Sequence, residues 1–289
     1  MSDPSLGLSS DSSPHLSSDL VAYRLTTAPL FFQEKELSLE VTFSEERPIW
    51  SHTIDLCVDE KRIELLKSVE GEREPSKLAS PAFQQIHRQQ IEKEQQEGRD
   101  IKNQKCIQEA IFLVGIHWQS HYSASVTTDV KADIKTDDLS KNLSPKNLPD
   151  FQGGPTRSID FELACRVKED LDFLGSTYTS LFPFAKIISQ DSFGNNVVGY
   201  QWEIDLTDSL GDTLPKKEVP SQGTSPKAVV TLSLVSSSPV SSEAVTCEES
   251  STKLEASGNT LTVSTPLPQS KPSPSTTEWG YRLEMKVVS

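Results

Sequence analysis

Two histidines, His117 and His121, lie four residues apart in a largely apolar stretch and are the first candidates for chemistry. On a helix this spacing would point both imidazoles at one metal ion, because residues i and i+4 share a face. On a strand the two side chains would stand about 13 Å apart, since each residue advances about 3.3 Å. Aromatic and β-branched residues favour one long strand over residues 109–126, although a helical face can also be drawn there. The sequence therefore predicts no metal site.

Carboxylates recur at strand spacing in three places. The pairs are Asp55 with Asp59, Asp160 with Glu162, and Glu203 with Asp205. General acid–base catalysis requires two carboxyl groups that converge on one bond, in environments that separate their pKa values. Alternation alone places such neighbours on an exposed sheet face, so we predict a solvated surface at all three pairs. If the protein is an enzyme, the residues to inspect are His117, His121, Asp160 and Glu162.

The chain carries no motif for a nucleophile or a cofactor. It contains neither a Gly-x-Ser-x-Gly elbow nor a glycine-rich phosphate loop. Its four cysteines lack the Cys-x-x-Cys spacing of zinc and redox sites, and three of them lie in or beside apolar runs. They are Cys57, Cys106, Cys165 and Cys247. The sequence thus predicts no catalytic residue, no cofactor and no metal.

The elements that would position these residues are strands. Apolar residues alternate at 37–43, 54–58, 159–167 and 279–288. A period of two places them on one face of a sheet, which predicts a mainly β fold, an antiparallel β-sandwich or open barrel around one core, with an α+β fold as the alternative. Further strands are predicted at 197–206 and 227–235. The alternation at 279–288 predicts that the chain returns to the sheet after a long polar tract.

Two segments have helical signatures. Ser80-Pro81 is typical of an N-cap followed by proline at the first helical position, and residues 82–105 are rich in Gln, Glu, Lys and Arg. We predict one polar helix there, either solvated along the domain edge or paired with a partner. Residues 171–189 combine aromatic and aliphatic side chains around Pro183, which favours one or two short helices packed on the sheet.

Polar segments interrupt these elements. They are a tail at 1–18 and insertions at about 128–156, 207–226 and 236–277. Each holds too few large apolar residues to offset the entropy of ordering it, so we predict that they are disordered. The last insertion has room for a short strand at 261–263. The rest of the chain predicts a single β-rich domain over 19–289.

Residues 181–186, Leu-Phe-Pro-Phe-Ala-Lys, resemble the Leu-Phe-Pro-Tyr-Ala-Arg segment of the SecB export chaperone family. That family has a fold of β-sheet and helix and holds unfolded chains in apolar grooves. The resemblance covers six residues of this chain. It implies a helix that begins on a sheet at this point and, for function, a chaperone-like holder of apolar segments.

The charge balance limits the partners. A net charge of −14 and a pI near 4.8 oppose binding to phosphate backbones and anionic lipids, which require clustered Lys and Arg. Residues 1–20 lack the basic and apolar regions of a signal peptide. The longest apolar stretch, residues 110–116, is shorter than the roughly 20 residues that cross a bilayer. We therefore expect a cytoplasmic protein that binds neither nucleic acid nor membrane.

These observations favour a non-enzymatic intracellular protein for binding or assembly. It would contact a protein partner through sheet edges, the polar helix or flexible linkers. The alternatives are a chaperone-like holder of apolar segments and an enzyme whose site is assembled from the histidines and carboxylates above. A concave site of converging titratable groups would favour the enzyme, whereas an apolar patch or groove without them would favour the binding protein.

Overall fold

The computed structural model describes residues 22–32, 35–46, 48–70, 80–94, 105–117, 120–129, 131–132, 156–168, 173–190, 196–206, 226–235, 252–267 and 275–288. In these ranges every regular secondary-structure element is a β-strand. In chain order they are β1 (Ala22–Thr26), β2 (Leu30–Phe32), β3 (Lys35–Glu46), β4 (Ile49–Val58), β5 (Lys61–Ser68), β6 (Gln85–Glu94), β7 (Lys105–His117), β8 (Ser120–Thr128), β9 (Lys131–Ala132), β10 (Arg157–Val167), β11 (Gly175–Thr179), β12 (Ala185–Gln190), β13 (Asn196–Asp205), β14 (Lys227–Leu234), β15 (Lys253–Ser257), β16 (Thr260–Ser264) and β17 (Ser275–Val288). The described ranges hold no helix long and apolar enough to cross a membrane.

The strands form two antiparallel sheets. In the smaller sheet the order is β1-β3-β4-β5-β11-β16-β15, with β2 beside β3. In the larger sheet the order is β12-β13-β14-β17-β10-β8-β7-β6, with β9 beside β7. Apolar side chains from both sheets pack into one buried cluster. The prediction of a mainly β, antiparallel sandwich is therefore confirmed, and the described strands do not close into a barrel.

The strand at the carboxyl-terminal end of the sequence lies in the middle of the larger sheet. β17 pairs with β10 on one side and with β14 on the other. Trp279, Tyr281, Leu283 and Met285 point into the core, as their alternation predicts. The predicted return of the chain to the sheet is confirmed, and the strand begins at Ser275 rather than at residue 279.

The polar helix predicted for residues 82–105 is wrong where the structure describes it. Gln85–Glu94 is strand β6, and it pairs with β7 along its whole length. Gln, Glu, Lys and Arg favour a helix only weakly, and ladder pairing with a neighbouring strand outweighs that preference. Ile86 is buried, which anchors the strand on the core. Residues 95–104 lie outside the described part of the chain.

The short helices predicted for residues 171–189 are also wrong. The described part of this segment forms strands β11 and β12, on either side of Pro183. β11 lies between β5 and β16 in the smaller sheet, whereas β12 is an edge strand of the larger sheet. The helix implied by the resemblance to the SecB family does not occur, since residues 185–190 are extended.

The single long strand predicted for residues 109–126 is two strands. β7 and β8 run antiparallel to each other and pair from Ala110 with Thr127 to His117 with Ser120. Residues 118–119 between them, Trp and Gln, give no glycine, proline, asparagine or aspartate signal for a turn. The apolar pattern therefore continues through the reversal without a visible break.

Part of the insertion predicted to be disordered at 236–277 is folded. β15 and β16 form a hairpin around Gly258, whose φ of +61° is the left-handed conformation that glycine adopts without strain. Leu254, Leu261 and Val263 are buried, and the predicted short strand at 261–263 lies within β16. The predicted tail at 1–18 and most of the insertions at 128–156 and 207–226 lie outside the described residues.

Candidate functional site

The chain reverses between the two candidate histidines. β7 ends at His117, whose backbone is opposite Ser120, and His121 in β8 is opposite Ile116. The prediction that both histidines lie on one strand is wrong, because β7 and β8 are antiparallel neighbours. Within the described ranges, no three side chains of the His, Cys, Asp or Glu type lie close enough together to hold a metal ion.

Asp160 and Glu162 lie on β10 and have separate partners. The two oxygens of Asp160 accept hydrogen bonds from Arg282, at 2.6 and 3.1 Å. This hydrogen-bonded ion pair raises the pKa of Arg282 and satisfies the carboxylate. Glu162 is exposed and accepts a hydrogen bond of 3.3 Å from the hydroxyl of Ser125. The two carboxylates are therefore not arranged as an acid–base pair.

His121 lies apart from these carboxylates. It is opposite Arg166 in the register of β8 and β10. A rise of about 3.3 Å per residue then places it about 13 Å along the strand from Glu162, and farther from Asp160. The structure does not bring the candidate catalytic residues together.

The remaining carboxylate pairs differ from each other. Glu203 is exposed, and a hydrogen bond from Lys227 lowers its pKa. Asp55 is only 6% exposed, and burial followed by the negative charge of Glu64 raises its pKa. The predicted solvated surface is wrong for Asp55, because β4 is an inner strand and Asp55 lies directly opposite Glu40 of β3.

A cleft of about 500 Å³ crosses the outer face of the larger sheet, from β6 to β17. It is lined by two rows of side chains that the strand register aligns across the sheet. The first row is Ile116, His121, Arg166 and Thr276, and the second is Gln85, Val114, Ser123 and Ala164. We call it the Arg166 cleft.

One end of the Arg166 cleft is built by the chain that precedes β6. The side-chain amide of Gln84 donates to the carbonyl oxygen of Ile116 at 2.9 Å, and its oxygen accepts from the Ile116 amide at 2.8 Å. The side chain of Gln84 therefore makes the two hydrogen bonds that the backbone of a neighbouring strand residue would make. The chain approaches so closely that a Cβ on Gly115 would lie 2.1 Å from the carbonyl oxygen of Ala82. Only glycine fits at that position.

The Arg166 cleft combines exposed aliphatic groups with positive charge. Val114 is 39% exposed and Ile116 is 51% exposed. Nζ of Lys168 lies 2.6 Å from Nε2 of His121, at the rim. Among the described residues that line it there is no aspartate or glutamate. The surface can therefore accept an apolar group and an anionic group side by side.

A second cluster, which sequence reasoning missed, lies between the sheets. Nδ1 of His52 is 3.5 Å from Oε1 of Glu70, and Nε2 of His52 shares a hydrogen bond of 2.9 Å with the hydroxyl of Tyr178. That hydroxyl is in turn hydrogen-bonded to the hydroxyl of Tyr281. Burial raises the pKa of both tyrosines. The cluster links β4, β11 and β17, and so connects the two sheets.

No substrate has access to this cluster. The side chains of His52 and Glu70 are 7% and 4% exposed, and both tyrosines are fully buried. The space next to them has a volume of about 10 Å³, which is about the size that one water molecule needs. The cluster therefore joins the two sheets at a place that is closed to a substrate. Its one sequence signal is that His52 falls in phase with the buried residues Ile54 and Leu56.

The two cysteines whose side chains the structure describes, Cys57 and Cys165, are poor nucleophiles. Burial raises the pKa of Cys57 and of Cys165 to about 11 in each case. At neutral pH roughly one molecule in ten thousand then carries the thiolate, which is the reactive form. Neither thiol is suited to nucleophilic catalysis.

No protein-family model matches this chain, and no curated protein or solved structure matches it. The Arg166 cleft is open to solvent, whereas the His52 cluster is enclosed.

Proposed function

We propose that this chain is a non-enzymatic binding or assembly protein and that its partner is another protein, which docks in the Arg166 cleft. One observation carries the proposal. The cleft brings exposed aliphatic side chains together with positive charge on an open sheet face, while Asp160 and Glu162, the carboxylates that His121 would need as catalytic partners, are not among the described residues that line it. The cytoplasm is the proposed location, and nucleic acid and membranes are not proposed as partners because the chain is strongly acidic.

The shape of the Arg166 cleft suits an extended segment of polypeptide. From β6 to β17 it crosses four strand spacings, or about 19 Å at about 4.8 Å per spacing. An extended chain advances about 3.3 Å per residue, so about six residues would fill that length. Ligand sites for compact small molecules enclose their ligand, whereas this surface is a shallow groove across the sheet.

The chaperone-like alternative would use the same surface less selectively. A holder of unfolded chains would bind apolar segments of any charge, since exposed aliphatic area alone drives that contact. The enzyme alternative has weaker support, because His121 lies apart from Asp160 and Glu162.

Removing the aliphatic groups of the Arg166 cleft is expected to weaken binding. The probes are three labelled peptides of about six to eight residues, in which valine alternates with glutamate, glutamine or lysine. We expect at least one to bind, and we expect the double substitution Val114→Ser with Ile116→Ser to weaken it about tenfold, because about 1.4 kcal/mol of apolar contact is lost. Fluorescence anisotropy measures the dissociation constants.

The matched control is Phe31→Ser. Phe31 is an exposed apolar residue of β2, in the other sheet. Its substitution should leave peptide affinity unchanged. If none of the three peptides binds, or if the cleft and control variants lose affinity equally, the proposed function is wrong.

A further inference from the structure

Arg166 differs from the other arginines whose side chains the structure describes. Arg24, Arg62, Arg88, Arg157 and Arg282 each form an ion pair with a carboxylate. Arg166 is exposed and forms no ion pair with a described residue. In a chain of net charge −14, carboxylates are abundant, so an arginine that lines a cleft and has no carboxylate partner among the described residues offers a place for an anion from outside.

The neighbours of Arg166 strengthen this reading. Lys168 and His121 lie on the same outer face of the sheet as Arg166, and Nζ of Lys168 is 2.6 Å from Nε2 of His121. Glu278 of β17 is opposite Ala164, at the end of the second row, and is not among the described residues that line the cleft. The positive charges of Arg166 and Lys168 therefore lie at the first row. An acidic group of a ligand would lie over that row.

The apolar and charged parts of the first row are separated by a distance that an extended peptide matches. Ile116, His121 and Arg166 are in register on three adjacent strands. Two strand spacings place Ile116 and Arg166 about 10 Å apart, whereas residues i and i+2 of an extended chain lie about 7 Å apart on one face. The flexible arginine and glutamate side chains span the remaining distance.

We propose that the partner docks an extended segment in which an acidic residue lies two positions from an apolar one, with its carboxylate paired to Arg166 and its apolar side chain on Val114 and Ile116. This inference rests on the proposed function and names the partner's chemistry. A nucleic acid suits the cleft less well, because its closely spaced phosphates would meet only this small group of cations in a chain that is negative overall.

The test uses the same three peptides and the full chain. The valine–glutamate peptide should bind more tightly than the glutamine peptide, and the lysine peptide should bind least. Arg166→Glu should lower the affinity for the glutamate peptide about tenfold, because an attraction between opposite charges becomes a repulsion. The same substitution should raise the affinity for the lysine peptide, because there a repulsion becomes an attraction. Arg166→Gln should give intermediate affinities. Raising the salt concentration should reduce the preference for the glutamate peptide over the lysine peptide, because salt screens the charges.

The matched control is Lys186→Glu, which changes the net charge by the same amount on β12, at the opposite edge of the larger sheet. This substitution should not alter the order of the affinities for the three peptides. If all three peptides bind equally and only the Val114 and Ile116 variant loses affinity, the acidic preference is wrong while the proposed function stands. If no peptide binds, the proposed function itself fails. Tighter binding of a single-stranded oligonucleotide, or dimerisation of the chain through this cleft, would also overturn the inference.

Discussion

A chain that ends at residue 274 is expected not to fold. It lacks β17, so β10 and β14 lose the strand that lies between them and the larger sheet is divided. It also loses four fully buried side chains, those of Trp279, Tyr281, Leu283 and Met285. At about 1.5–3 kcal/mol each, their burial is comparable to the whole stability of a typical domain, about 5–15 kcal/mol. Urea unfolding followed by the fluorescence of the three remaining tryptophans should show no cooperative transition.

The control for this deletion is a chain that lacks residues 1–18, a segment of similar length that the sequence predicts to be disordered. It should unfold at the same urea concentration as the full chain. A cooperative transition in the chain that ends at residue 274, with an unchanged midpoint, would show that the two flanking strands do not depend on β17.

The second large effect is expected at the buried pair of His52 and Glu70. His52→Leu removes the imidazole that lies 3.5 Å from the buried Oε1 of Glu70, and a buried polar atom left without a partner costs about 1–3 kcal/mol of the free energy of unfolding. The double substitution His52→Leu with Glu70→Leu removes both polar groups from the core, and replacing a buried pair in this way is often neutral. We therefore expect the double variant to be more stable than His52→Leu alone, with a coupling energy of about 1–3 kcal/mol.

Urea unfolding at pH 7 of the four proteins of this cycle measures the coupling. The exposed pair Lys227 and Glu203 provides the control, since their contact of 2.7 Å lies in solvent and should show no comparable coupling. Additive losses at His52 and Glu70 would mean that their 3.5 Å approach carries no interaction energy.

The sequence predicted the strands whose alternation is strict and whose inner face is buried. β10 and β17 are the best cases, because every second residue must be apolar to reach the core. β6 has the composition of a helix because it is an edge strand with mostly exposed polar residues, so pairing with β7 and the burial of Ile86 determine its structure. The β15–β16 hairpin had a turn signal in Gly258 and Asn259, which the polar composition of the surrounding tract outweighed.

The candidate site was predicted only in part. The sequence singled out His121, which lines the Arg166 cleft, but for a metal or catalytic role that needs partners the fold does not supply. Arg166 and Ile116 carry no local signal, because their proximity depends on the register of three strands. The His52 cluster joins strands that are distant in the sequence, and spacing along the chain cannot reveal such contacts.

The pairing of β10 with β17 has a kinetic consequence. Asp160 and Arg282, which bridge these strands, are 122 residues apart in the chain. Proteins dominated by such distant pairings refold in milliseconds to seconds, because the intervening loop must close before its contacts form. Doubling the length of a flexible loop adds only about 0.6 kcal/mol to that entropic barrier. The segment between them contains β11 to β16, so the connections between those strands should accept insertions far more readily than β10 or β17 accepts a single misplaced polar residue.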